Sequence, residues 1–215
     1  MPMDERANGI VLRFHPYSES SLIIRWLTRE QGRIDTMARG ARRPKSPFRG
    51  KLDLFYFADF TFARNRHSEL HSLRELRLLD TFSALRSDLS RLRQASYASA
   101  LVTQTTEPGL PLTEIFSLFA TFLEHLTRHQ SAPLLLLAFE LKLLAALGQQ
   151  PSLDELRLSP ASRQTAEDCI ALDWQELGSR PQTQIKELDF ALRKFLEFHL
   201  GRTLAQRAAA LAPEP

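Results

Sequence analysis

From Arg39 to Lys51 the chain reads RGARRPKSPFRGK. The segment carries six positive charges (Arg39, Arg42, Arg43, Lys45, Arg49, Lys51), no acidic residue, two prolines and two glycines. Its chemistry is charge neutralisation: Lys and Arg at close intervals displace the counterions of a polyanion and follow a phosphate backbone. Arg64 and Arg66, in the ARNRHSE turn, extend that cationic track. Phosphate contacts position a ligand without reading its sequence, so little base preference is expected. The plainer alternative is a solvated surface run, which gives no reason for prolines to fix it between two apolar segments.

LFYFADFTF places five aromatics close together. Strand alternation puts Tyr56, Phe60 and Phe62 on one face, assigned to core packing, and Phe55 and Phe57 on the other, where they are candidates for base stacking. Phe48, inside the basic segment, is a further stacking candidate, and Trp26 an alternative. His67, Glu69 and His71 alternate as metal ligands on a strand can, yet no other ligand accompanies them, and a solvated or hydrogen-bonded role is favoured. A metal-dependent hydrolase built on His67 and His71 would require stoichiometric metal. His125 and His129 are an i, i+4 pair, but Glu124 precedes the first, so the metalloprotease arrangement is absent. Gly50-Lys51 fails as a phosphate loop, because Lys45 stands where Gly is needed and Leu52 where Ser or Thr is needed. No nucleophile elbow, dinucleotide fingerprint or acid/base pair is found, so the expectation is a non-enzyme with no cofactor, no metal and no small-molecule substrate.

These side chains need elements to position them. Of 215 residues, 43% are hydrophobic and 25% charged, which suits an ordinary soluble globular protein of one or two domains. The net charge of +3 is uneven: the first 80 residues hold 15 Lys and Arg against 10 Asp and Glu. Polyanion binding therefore belongs mainly to the N-terminal part. The single cysteine, Cys169, rules out an intrachain disulfide or a Cys-based zinc site and reads as a small buried apolar residue. MPMDERANG lacks a signal-peptide core, and the most apolar stretch is interrupted by Glu140 and Lys142. The expected location is cytoplasmic, without membrane contact.

From Gly9 to about Asp80, GIVLRF, SLIIRWLT, RIDTMA, LFYFADFTFA and LHSLRELRLL read as five short strands, better suited to a small closed barrel than to an open sheet. After Asp80 the period becomes helical, in stripes such as Ile115, Phe119, Phe122 and Leu126, and the helices should bundle. The expectation is an α+β chain of two domains, 1–80 and 81–215, with 149–183 as an irregular insert.

GIVLRFHPYSESSLIIRWLTREQGRIDTMARGARRPKS, with LHSLRELRLLDTF and RKFLEFHLGRTL further on, resembles the bacterial recombination mediator family RecO. The resemblance implies an N-terminal five-stranded OB-fold barrel followed by an α-helical domain. It implies binding of single- and double-stranded DNA, annealing of complementary strands, and work with RecR to load RecA onto DNA coated with single-strand binding protein, in the cytoplasm at the nucleoid. It also implies that the acidic, Phe-ended C-terminal tail of single-strand binding protein docks on the helical domain, where Arg128, Lys142 and Arg193 are conceivable edges of a groove. Many relatives carry a four-cysteine zinc element, and LRLSPASRQTAEDCIALD keeps only Cys169, so a variant with the zinc element absent is implied. The alternative is an OB-fold protein-interaction adaptor whose DNA binding is incidental.

Overall fold

The structure is a computed structural model and describes residues 4–183, 185–201 and 205–212. Strands β1 (Asp4–Pro16), β2 (Leu22–Thr28), β3 (Gly32–Ala38), β4 (Phe57–Ala63) and β5 (Leu70–Asp80) close into a barrel in the order β1-β2-β3-β5-β4, with β3 and β5 parallel. This is the five-stranded OB-type barrel expected. Strand β1 is long because it serves two neighbours: Asp4–Ile10 pairs with β4 and Gly9–Pro16 with β2, and the register shifts between Val11 and Arg13. An irregularity of that kind bends a strand, which lets one strand close both sides of a barrel. The strand begins at Asp4 rather than Gly9. Its first residues carry no apolar alternation because Glu5 and Arg6 form ion pairs with Arg64 and Asp59.

Val11, Ile24, Trp26, Ile34, Phe60 and Phe62 fill the barrel. The Trp26 ring stacks on Phe60 at 4.3 Å and its indole N–H donates to Thr36 Oγ1 at 2.8 Å, so Trp26 is a core residue. Phe55 departs from the expected alternation. It precedes β4 in a left-handed conformation (φ 64°) that turns its ring inward, and its N–H donates to the Val11 carbonyl at 2.9 Å.

After a 3-10 turn at Ser83–Ser87 come α1 (Leu89–Thr105), α2 (Thr113–Arg128), α3 (Pro133–Ala146), α4 (Pro160–Ala171), α5 (Trp174–Gly178), α6 (Ile185–Leu200) and α7 (Gln206–Leu211). The chain divides into two compact units: residues up to Phe82 with Thr106–Ser117, and Ser83–Thr105 with the residues from Leu118 onward. In the first, the segment before α2 lies on the edge of β3, where Gly109 N–H donates to the Arg33 carbonyl at 2.9 Å. Gly32 (φ +65°) is obligatory there, since a Cβ would lie 1.8 Å from the Leu110 oxygen.

In the helical unit α3 is central, with every side chain from Leu134 to Leu141 buried, including Glu140. Residues 149–183, expected to be irregular, contain α4 and α5. Helix α4 buries Ser162, Ala166 and Cys169, a stripe at helical spacing made of small residues that carry little hydropathy signal. Ser159 caps it by accepting from Ser162 N–H, and Asp173 and Glu176 form a capping box at α5. Of the segment RKFLEFHLGRTL, residues 202–204 lie outside the described residues.

Candidate nucleic-acid interface

The basic segment is the β3–β4 connection, and it is pinned turn by turn. Arg43 N–H donates to the Gly40 carbonyl at 3.0 Å, Ser46 N–H to Arg43 at 3.1 Å, Arg49 N–H to Ser46 at 3.2 Å and Lys51 N–H to Phe48 at 3.0 Å. Arg42 stitches it to the β1–β2 turn, its N–H reaching the Ser20 carbonyl at 2.9 Å and its Nη1 the Ser18 carbonyl at 3.3 Å. Arg39, Arg42, Arg43, Lys45 and Arg49 are exposed and Lys51 half-buried. Among the described residues none of the six forms an ion pair, so their field faces solvent without a counter-charge. A groove of about 300 Å3 runs between Leu22, Arg42, Pro44, Arg49 and Leu52.

Arg64 and Arg66 do not continue this track. They lie in the β4–β5 connection, at the opposite end of β4. Arg64 is committed to the barrel: Nε and Nη2 donate to the Glu5 carboxylate at 2.5 and 2.8 Å, and Nη2 to Gln31 at 2.6 Å. The Arg64 hydrogen bonds hold the Glu5 carboxyl below the usual carboxylate range despite partial burial. Arg66 is exposed.

The stacking candidates need correction. Phe48 is 6% and Phe55 1% exposed, so both rings are core anchors with no face for a base. Phe57 is half-buried with its ring 6.1 Å from Phe116. The aromatic beside the cations is Tyr17, 60% exposed in the β1–β2 turn whose Ser18 carbonyl holds Arg42. It sits in PYSESS, a turn whose polar context gave no reason to single out one ring.

Sequence reasoning also missed Arg33 and Arg25. Together with Asp35, Arg66, His67 and Pro108 they border a pocket of about 460 Å3. Arg25 is neutralised by bidentate hydrogen bonds to Asp35 at 2.9 and 2.8 Å. Arg33 Nη2 donates to the Thr106 carbonyl at 2.8 Å, while burial and the neighbouring Arg25 push its guanidinium down. Burial, aided by the Arg64 charge, also lowers the pKa of His71, whose Nδ1 accepts from Asn65 N–H at 3.3 Å while its ring stacks on Phe62 at 5.3 Å. His67 is exposed and His71 buried, and no group of three or more His, Cys, Asp or Glu that could hold a metal occurs among the described residues.

The α4–α5 segment does not fit zinc. Burial pushes the Cys169 thiol up to about 12, so it stays protonated. The Lys142 ammonium instead donates to the Ile170 and Leu172 carbonyls at 2.9 and 2.8 Å, beneath the Trp174 ring at 5.7 Å. Lys142 is therefore spent internally and is not a groove edge. Arg128 and Arg193 are exposed, Arg193 over Phe190 at 5.5 Å.

Barrel and loop together define an OB-type protein with an uncompensated cationic surface, followed by a helical unit with no helix long and apolar enough to cross a membrane among the described residues. The family described as Recombination protein O N terminal matches residues 2–82, and Recombination protein O C terminal matches residues 86–156. The DNA repair protein RecO of Anaeromyxobacter sp. (strain K) is 29% identical over a 238-residue alignment covering 94% of each chain. Those of Halalkalibacterium halodurans and Bacillus pumilus are 33% and 32% identical over 71% and 70% of this chain, and 59% and 58% of theirs. The chain belongs to the RecO family of DNA repair and recombination proteins.

Proposed function

We propose that this chain is a non-enzymatic recombination mediator that binds single- and double-stranded DNA on its barrel and anneals complementary strands. With RecR it helps load RecA onto DNA coated with single-strand binding protein. The observation that carries this reading is the β3–β4 loop: six cations held in backbone-bonded turns, without ion pairs among the described residues. Neutralising phosphates on two strands lowers their mutual repulsion, which is what annealing requires. Tyr17 supplies a stacking surface next to Arg42, and Phe57 offers at most a partial one.

The helical unit supplies targeting. On α6, Phe190 is half-exposed and Phe198 85% exposed, with Lys194 4.4 Å from the Phe190 ring centroid, along a groove of about 530 Å3. Its rim carries Arg157 and Lys194 together with Glu155 and Glu187, so the exposed Phe side chains rather than net charge suit the Phe-ended tail of single-strand binding protein.

Fluorescence anisotropy with poly-dT and with duplex tests the DNA reading. If about five phosphates are neutralised, log affinity for single strands falls with log salt at a slope of about −3.5. Replacing Arg42, Arg43 and Lys45 together by Ala weakens binding to all sequences alike. Salt-independent affinity, or no binding at physiological salt, favours the adaptor reading instead.

A further inference from the structure

We propose that the exposed stripe of α6 is a self-pairing surface, on which a second copy of this chain lays its own α6 antiparallel. Phe190, Ala191, Lys194 and Phe198 stand three, four, seven and eleven residues beyond Glu187, so the five share one face of the helix. Phe190 is 49% and Phe198 85% exposed, and the half-buried Leu156 and Leu158 continue the patch beside them. Helix α6 buries Leu188, Leu192 and Leu196 on a different side. Its rings are therefore a second apolar face, uncovered among the described residues, and exposed patches of that kind mark interaction sites. Charge decides which occupant fits. Arg157 and Lys194 stand against Glu155 and Glu187 on the rim, and none of the four forms an ion pair among the described residues. Two charges of each sign complement a copy of themselves, which is what an interface with a two-fold axis demands of its single patch. Hydrogen bonds from Ser159 and Ser162 hold the Glu187 carboxyl below the usual carboxylate range, so it stays ionised.

The order of residues along the stripe fixes the register. With the two-fold axis between Phe190 and Ala191, Glu187 faces the second copy's Lys194 twice over. Phe190 then packs on the second copy's Ala191, whose small side chain lets the helices approach to about 8–10 Å. Phe198 leans back toward its own helix N-terminus and lies over the first turn of the facing α6. A register that set Phe190 on the second copy's Phe198 would bring the two Lys194 ammonium groups together, and their repulsion disfavours it. Exposed ion pairs contribute little affinity, so burial of the rings supplies the binding and the charges supply the alignment. An aromatic side chain buries about 150–250 Å2, so two per copy make a small interface, and association should be reversible at concentrations on the order of tens of micromolar. This pairing does not rest on tail docking. The two occupants exclude each other, because both need Phe190 and Phe198.

Sedimentation equilibrium of the full chain, without DNA, between about 5 and about 200 µM reads the association directly. A reversible monomer–dimer equilibrium is expected. Phe198→Asp raises its dissociation constant at least about tenfold and Lys194→Glu at least about threefold. Both positions are exposed, so these variants should melt like the parent. Glu187→Lys alone also dissociates the dimer, whereas mixing it with Lys194→Glu restores association, since both ends of the mixed interface then pair opposite charges. Glu187 also holds Ser159 and Ser162, so a melt shows whether Glu187→Lys folds; if it does not, Phe198→Asp decides the matter. A chain that is monomeric throughout, a dimer indifferent to Phe198→Asp, or a mixture of folded variants that associates no better than its components overturns the pairing. If a monomeric chain binds a Phe-ended peptide and Phe198→Asp releases it, self-pairing fails and tail docking stands. Dimers that lose association in Phe198→Asp but bind no such peptide uphold self-pairing and sink tail docking.

Discussion

Arg207 lays two nitrogens of its guanidinium along the carboxylate of Glu140, Nε to Oε1 at 2.7 Å and Nη2 to Oε2 at 2.8 Å, with both side chains closed to solvent. The Tyr97 hydroxyl donates to the same Glu140 oxygen at 2.6 Å, and Arg207 Nη1 reaches Asp189. One buried charge on α3 thus ties α1 and α7 to it. Burial, reinforced by the Glu140 charge, pushes the Tyr97 phenol up, so it stays a donor. Replacing Arg207 by Met leaves Glu140 uncompensated and should cost about 3–5 kcal/mol. The double variant Arg207→Met/Glu140→Met should cost less than the single one. Urea denaturation of both proteins checks the order.

Two glycines with left-handed backbones should respond differently to alanine. At Gly50, in the basic loop, a Cβ meets nothing within 4 Å, so only the backbone penalty of about 1–2 kcal/mol applies. At Gly32 the Cβ would overlap the Leu110 carbonyl, so Gly32→Ala should cost at least about twice as much and free the Thr106–Leu112 segment from β3. Melting temperatures give the ranking, and hydrogen exchange at Gly109 N–H reports the release.

Stability should decline in acid in two stages. His71 has a folded pKa depressed by burial and by Arg64, so its neutral form is the folded one. Its contribution is complete above the unfolded value of 6.5 and is lost as pH falls through that range toward the folded pKa. Asp59 and Glu5, depressed by hydrogen bonds from Arg6 and Arg64, contribute above the ordinary carboxylate pKa of about 4 and lose that contribution below it. Melting temperature measured from pH 8 to pH 3 should show both steps, and His71→Gln should shrink the first without removing it, because burial lowers the pKa of His125 as well.

Tyr17→Ala should weaken single-strand binding by about 1–3 kcal/mol, with Tyr17→Phe close to the parent, because stacking uses the ring face and not the hydroxyl. Phe55→Ala should instead unfold the barrel, at about 3–5 kcal/mol, since its ring is core. Anisotropy and a thermal melt on the same samples separate the two effects.

The five strands and their barrel were legible because branched and aromatic runs alternate with turn chemistry from Gly9 to Asp80. The basic loop was legible for a similar reason, since charge and proline are local properties. Phe55 was misread because its left-handed backbone goes with a hydrogen bond to Val11 on the neighbouring strand β1, and no neighbour in sequence announces it. The separation of Arg66 from the loop was hidden as well. Both are basic and nearby in sequence, but a strand puts its two ends on opposite rims. Arg33 looked like an ordinary strand cation, and its importance comes from Thr106, 73 positions away. Helix α4 was missed because its buried stripe is Ser, Ala and Cys.

The Lys142 ammonium closes the end of α4 by donating to the Ile170 and Leu172 carbonyls, so a cation from α3 takes up the acceptors at this helix end. The one cysteine is held protonated in the interior, out of reach of oxidants that attack thiolates. A peroxide that attacks thiolates finds no exposed one in this segment, since Cys169 is buried.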